Sequence, residues 1–200
     1  AERCKKSFKK RRGFFLFGIV QGGMFSELRK KCAEELVKIG FDGYAIGGLS
    51  VGESHNKMIS VIDSTLSFLP SDKPRYLMGV GRPVDIFEAI ERGVDMFDCV
   101  LPTRFGRNGR AFTSNGEINL KNSRFAKDKK PLDESSICEI SSKFSKGYLH
   151  HLTKNNEILS SMILSLHNIA FYKKMMTEIR ASIKEKKFLQ LKEKYLNNHG

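Results

Sequence analysis

Apolar and polar positions along the first half of the chain fall into blocks of two kinds. Apolar runs of strand length occur at Phe14–Val20, Asp42–Ile46, Arg75–Met78 and Met96–Leu101. Between them the apolar spacing is helical. Phe25 to Ile39 places Leu28, Cys32, Leu36 and Ile39 on one face, and Gly40 ends it. His55 to Leu69 is closed by Pro70. Pro83 to Arg92 carries proline in its first turn, where the missing N–H costs nothing, and Gly93 ends it. Strand–helix units that repeat and close on a further strand predict an α/β fold with parallel strands and crossover helices. A closed (β/α)₈ barrel needs eight such units and usually about 250 residues. The pattern therefore predicts either a small α/β sheet or half of a barrel.

After Arg104 the pattern changes. Asn108-Gly109 is a turn signal. Arg110–Thr113 and Glu117–Leu120, around Ser114-Asn115-Gly116, read as a β-hairpin. Residues 121–143 are polar and irregular. From Phe144 the spacing is helical again: Ile158, Leu159, Met162, Ile163, Leu166, Ile169 and Tyr172 give an apolar face, and residues 183–197 a shorter one. Met175 and Met176 suit core or interface filling. The expected division is 1–103, 104–143 and 144–200.

Charge adds a partner class. The 200 residues hold 35 Lys and Arg against 22 Asp and Glu, a net charge of +13. Such a surplus favours a polyanion such as nucleic acid; an unrelated basic surface or an anionic membrane is the plain alternative. Cys4, Cys32, Cys99 and Cys138 form no disulfide framework, which suits a reducing compartment. No apolar run reaches the ~20 residues of a membrane span. The basic segment Lys5–Arg12 before Phe14–Val20 imitates a leader, but it runs into Gln21-Gly22-Gly23 and not into a cleavage site. The expected location is the cytoplasm, with no membrane partner.

Candidate chemistry sits at the strand ends. Asp98 lies in an apolar run that stops at Pro102 and opens into basic residues. A buried carboxylate is costly unless paired or used; the alternative is an ordinary strand whose Asp98 caps a loop or pairs with Arg104. The loop Gly47-Gly48-Leu49-Ser50-Val51-Gly52-Glu53 lets backbone N–H groups approach a planar ring or an anion, or it is a tight turn. Gly79-Val80-Gly81-Arg82-Pro83-Val84-Asp85 offers Arg82 beside a helix start, as a phosphate site would. Thr103-Arg104-Phe105-Gly106-Arg107 suits a splayed nucleotide, with Arg on phosphates or base edges and Phe105 available for stacking, or it is a solvated basic loop. For metals, Cys138 and His167 are the pair worth naming, and two ligands do not make a zinc site.

These motifs converge on one family. Phe17–Gly23, Gly47–Glu53, Met78–Gly81, Asp95–Arg104 and Tyr148-Leu149-His150-His151-Leu152 resemble tRNA-guanine transglycosylase (queuine tRNA-ribosyltransferase), in family order and over nearly the whole chain. The resemblance implies the C-terminal half of a (β/α)₈ TIM-type barrel, about four parallel strands with crossover helices, carrying the nucleophile, then a hairpin and zinc-type insertion, then C-terminal helices. It implies a glycosyltransferase of queuosine biosynthesis that exchanges guanine at the tRNA wobble position for a 7-deazaguanine. Asp98 matches the nucleophile that holds the ribose as an ester. Gln21, Gly47 and Gly48 match base-pocket residues, with Leu49 and Met78 beside them. Gly79–Asp85 and Thr103–Arg107 match RNA-contacting segments. Val51 matches the bacterial pattern, and so 7-aminomethyl-7-deazaguanine as the base. Homodimers are common in the family. The match begins partway into the family's sequence, which places the family's second aspartate, a general acid/base, outside these residues. The alternative is thus a tRNA-binding half without catalysis of its own. The family's zinc ligands correspond to Ser136, Cys138, Ser141 and His167. With two serines there, a weak or empty site is expected, replaced by packing around Phe144 and Leu166.

Overall fold

The computed structural model describes residues 1–199, and it divides into two compact units, Ala1–Cys99 and a second that begins at Val100. The first opens with a short helix, α1 (Glu2–Ser7), then alternates β1 (Phe17–Val20), α2 (Ser26–Ile39), β2 (Gly43–Ile46), α3 (His55–Leu66), β3 (Arg75–Leu77), α4 (Pro83–Glu91) and β4 (Met96–Phe97). The strands form one parallel sheet in the order β1-β2-β3-β4. Sequential parallel strands joined by helices are the expected α/β architecture, and they match part of a (β/α)₈ barrel.

The core of this unit lies between sheet and helices. Val20, Ile46 and Leu77 from the strands meet Ala33, Leu36, Met58, Ile62 and Leu66 from α2 and α3, all at most 6% exposed. The register is level at one end: Val20 stands opposite Ile46, Ile46 opposite Leu77 and Leu77 opposite Phe97. These are the last residues of their strands.

The second unit begins with α5 (Leu101–Arg107), followed by the antiparallel hairpin β5 (Arg110–Thr113) and β6 (Gly116–Asn119). Residues 123–125 form a 3₁₀ turn. Then come α6 (Glu139–Ser142), α7 (Lys146–Lys154), the long α8 (Ile158–Lys184) and α9 (Phe188–His199). Ala111, Leu120, Phe125, Leu132, Leu149, Leu152, Ile163 and Leu164 form its core. No helix among the described residues is long and apolar enough to cross a membrane.

Two sequence expectations change here. The run Met96–Leu101 is a strand only over Met96–Phe97, and Leu101–Arg107 is helical. Pro102 falls in the first turn of α5, where proline is tolerated, so it starts a helix and does not merely stop a strand. In α8 the buried positions include Ile163, Leu164, His167, Asn168, Met175 and Ile179, whereas Leu159, Met162, Leu166 and Ile169 are exposed. The inward face is polar where hydrogen bonds satisfy it. Asn168 accepts from the N–H of Phe112 and donates to the carbonyls of Pro102 and Arg110. Fully partnered amides are stable inside, and an apolar count alone does not find them.

Candidate active site at the carboxyl edge of the sheet

Because the register is level, the residue after each strand falls on one edge. Those residues are Gln21, Gly47, Met78 and Asp98. The edge beyond the carboxyl ends of parallel strands is where such folds place their chemistry.

Asp98 is exposed, not buried as its apolar surroundings in sequence implied. Its neighbours hold it nonetheless. The Tyr76 hydroxyl donates to Oδ1 at 2.6 Å, and the Gly79 N–H donates to the same oxygen at 2.9 Å. Among the described residues no other residue donates to Oδ2. Hydrogen bonding from Tyr76 first, and from the Gly79 amide second, keeps the carboxyl below the usual aspartate range. The same bond raises the Tyr76 phenol to about 12, with desolvation adding to it. Near neutral pH the pair is therefore a phenol donating to a carboxylate. The second carboxylate oxygen takes no bond from Tyr76 or Gly79, on a residue that is itself exposed.

The first two loops pack on each other. A Cβ on Gly47 would lie 2.5 Å from Nε2 of Gln21, and one on Gly48, at φ 69°, would lie 2.9 Å from its Oε1. The Gln21 amide thus lies flat against a backbone that only glycine permits to come so close. Leu49 is buried beneath and Met78 half-buried. Glu53 accepts from the N–H groups of Ser50 and Val51, closing the loop after β2. Burial pulls its carboxyl upward, but the backbone N–H groups outweigh this and leave it below its ordinary value.

The Gly79–Asp85 segment is part buried and part open, with Gly79 exposed at its start. Val80, Gly81 and Pro83 are buried, Val84 is half-buried and Arg82 is exposed. Asp85 pairs with His55 at 2.8 Å, tying the starts of α3 and α4. In the second unit, Arg104 and Arg107 are exposed on α5, while Thr103 bonds back to the Val100 carbonyl. Phe105 is not available for base stacking. It is 8% exposed, with its ring stacked on Phe112 at 5.1 Å and the Arg110 guanidinium 4.2 Å from its centroid. Gly106 is likewise buried.

The positions of the implied zinc set do come together, but as a hydrogen-bonded knot. His167 Nε2 lies 2.8 Å from the Phe112 carbonyl, and Nδ1 lies 2.9 Å from Ser141 Oγ and 3.3 Å from Ser136 Oγ. Burial lowers the pKa of the imidazole, so it is neutral, donates through Nε2 and accepts a serine hydroxyl at Nδ1. The Cys138 N–H donates to Ser136 Oγ. One thiol, one imidazole and two hydroxyls do not fit zinc. Among the described residues no three His, Cys, Asp or Glu side chains converge on a metal position. Hydrogen bonds close this site, not the expected packing: Leu166 is 46% exposed and Phe144 stacks on Tyr148.

Sequence reading missed Tyr76 and Glu53. A hydroxyl on β3, next to the strand that carries Asp98, was the available signal for the first. For the second it was a carboxylate at the end of a glycine-rich loop.

Comparisons with known proteins agree with the resemblance. The family model described as queuine tRNA-ribosyltransferase matches residues 1–200. Over 184 residues the chain is 52% identical to the queuine tRNA-ribosyltransferase of Rickettsia rickettsii (strain Sheila Smith), covering 92% of this chain and 51% of that protein. The Caulobacter vibrioides protein of the same name is 53% identical over 199 residues, covering 100% of this chain and 54% of its own. The chain spans about half the length of the curated relatives it matches. On the residues matched by the family model and on these identities, the chain belongs to the queuine tRNA-ribosyltransferase family.

Proposed function

We propose that this chain carries the nucleophile and base-pocket edge of a tRNA-guanine transglycosylase. The reaction would exchange guanine at the tRNA wobble position for 7-aminomethyl-7-deazaguanine. One observation carries the reading: Asp98 lies exposed at the same carboxyl edge as Gln21, Gly47 and Gly48, with one oxygen held by Tyr76 and Gly79, bonds that lower its pKa and favour the carboxylate.

The chemistry follows from that arrangement. Oδ2 of Asp98 attacks the ribose anomeric carbon. The bond to guanine breaks, and its electron pair leaves on the purine nitrogen, which takes up a proton. The incoming base, losing its proton, attacks the same carbon and regenerates the carboxylate. Two displacements retain configuration, as in a retaining glycosidase. Gln21 and the Gly47–Gly48 backbone offer donors and acceptors to a planar base held beside them. Arg104 and Arg107 meet phosphates or base edges of the tRNA. The wobble nucleotide must leave its stack to reach Asp98. The cytoplasm, where tRNA is modified, is the proposed location, and a second copy of the chain the proposed partner.

A second reading has its own observation. Both carboxylates of this edge, Asp98 and Glu53, are held below their ordinary pKa values, so neither donates a proton to leaving guanine near neutrality. Lacking that proton, exchange loses a factor of roughly 10²–10⁴. On this reading the chain binds tRNA and turns over slowly until another group supplies the acid.

The test is a denaturing gel of the chain with cognate tRNA. A covalent band is expected that is absent in Asp98→Asn and is discharged by 7-aminomethyl-7-deazaguanine. A band that persists in Asp98→Asn would refute the nucleophile assignment. A native-gel shift without any covalent band would favour the binding reading.

A further inference from the structure

We propose that Arg29 is the positioning residue of the base pocket: its guanidinium spans the loops after β1 and β2 and sets the distance between Gln21 and the Gly47–Gly48 backbone. This rests on the reading of that edge as a base site.

Arg29 lies in the first turns of α2 and is 0% exposed, although arginine is seldom buried fully. Its Nε donates to the Gly23 carbonyl at 2.7 Å, and its Nη2 to the Gly47 carbonyl at 2.9 Å. One planar group thus joins two loops that are far apart in sequence and carry the candidate base contacts. Nη1 is buried without a hydrogen-bond partner among the described residues. Filling space alone does not call for this, because leucine or methionine would fill it without desolvating a charge. A rigid fork with donors aimed two ways is what arginine adds and lysine lacks.

The surroundings fit the same role. A Cβ on Gly22 would lie 2.7 Å from the Arg29 backbone nitrogen and 2.9 Å from its Cγ, so the first loop rests directly on this residue. One on Gly48 would come 3.7 Å from Nη2. Cys32, on the same face of α2, accepts from the Gln21 N–H through sulfur at 3.4 Å. Both loops are therefore held from below, and Gln21 is left exposed above them.

The experiment compares Arg29→Gln and Arg29→Lys with the parent chain. Guanine and 7-aminomethyl-7-deazaguanine are titrated by calorimetry, and amide hydrogen exchange is followed by NMR. Arg29→Gln should weaken base binding about tenfold, the weight of one charge-assisted hydrogen bond. It should speed exchange at Gly22, Gly23, Gly47 and Gly48 while Ala45 and Ile46 in the ladder stay protected. Arg29→Lys, able to reach one carbonyl, should recover part of both and decides the matter if the glutamine variant does not fold. A purely structural role would lower protection across the sheet and leave base affinity of the folded protein unchanged; that result overturns the proposal. If the parent binds neither base, the reading of the edge as a base site fails and this proposal falls with it. If the parent binds and both variants bind equally well, Arg29 alone is ruled out.

Discussion

At the scale of single residues, the Asp98–Tyr76 bond should set the acid tolerance of the proposed site. In the proposed nucleophile role only the carboxylate form of Asp98 attacks, so adduct formation should fail as pH falls through its pKa. Tyr76, the larger cause of that lowered pKa, extends the working range toward acid. Tyr76→Phe removes the donor and keeps the ring. The acidic limb of adduct formation should then move to higher pH, with the alkaline side unchanged; a pH profile identical to the parent's would show that the phenol does not tune the carboxylate. Asp98 was legible in sequence because a carboxylate inside an apolar run attracts attention. Tyr76 and Arg29 were not. Each acts through a contact between segments, 22 positions apart for Tyr76–Asp98 and 18 for Arg29–Gly47, and nothing local marks them.

At the scale of elements, the contact of α5 with α8 decides where Arg104 and Arg107 stand. Gly106 makes that contact possible. A Cβ there would lie 2.5 Å from Ser165 Oγ and 2.6 Å from the Ser165 backbone nitrogen, and backbone yields poorly. Gly106→Ala should destabilise the chain by about 1–3 kcal/mol, as overpacking does. A thermal melt checks this, and an unchanged midpoint would contradict so close a crossing. Strand and helix order in the first unit was readable because periodicity and glycine or proline stops agree there. The inward face of α8 was not. His167, Asn168 and Ser160 lie buried on it, and hydrogen bonds to the hairpin, α7 and the knot around Ser141 make them welcome. Similarly, Ser136 and Ser141 read in sequence as the loss of a metal site. In the structure they are the hydroxyls that hold His167 in its place.

At the scale of the whole molecule, the net charge of +13 bears on the proposed tRNA partner, because it favours a polyanion. Binding to tRNA should weaken steeply with salt, since each neutralised phosphate releases counterions. Arg104→Ala should weaken it at all salt concentrations and reduce the magnitude of the log–log salt slope by about one. A filter-binding series in salt measures both, and an unchanged slope would remove Arg104 from the phosphate contacts. The sheet topology was legible as far as consecutive strand–helix units imply parallel neighbours. The arithmetic of four strands left a free sheet and part of a barrel open, and the family match favours the barrel.

The level strand ends have a further consequence. Gln21, Gly47, Met78 and Asp98 are four copies of one address, each a single step beyond the last rung of its ladder. The rungs are backbone, so strand length alone sets where these four positions fall. A deletion of one residue within a strand would turn that strand's site residue to the opposite face and leave the other three untouched. Relatives that keep this edge should therefore keep the lengths of these strands, since one residue gained or lost in a strand moves its end out of line with the others.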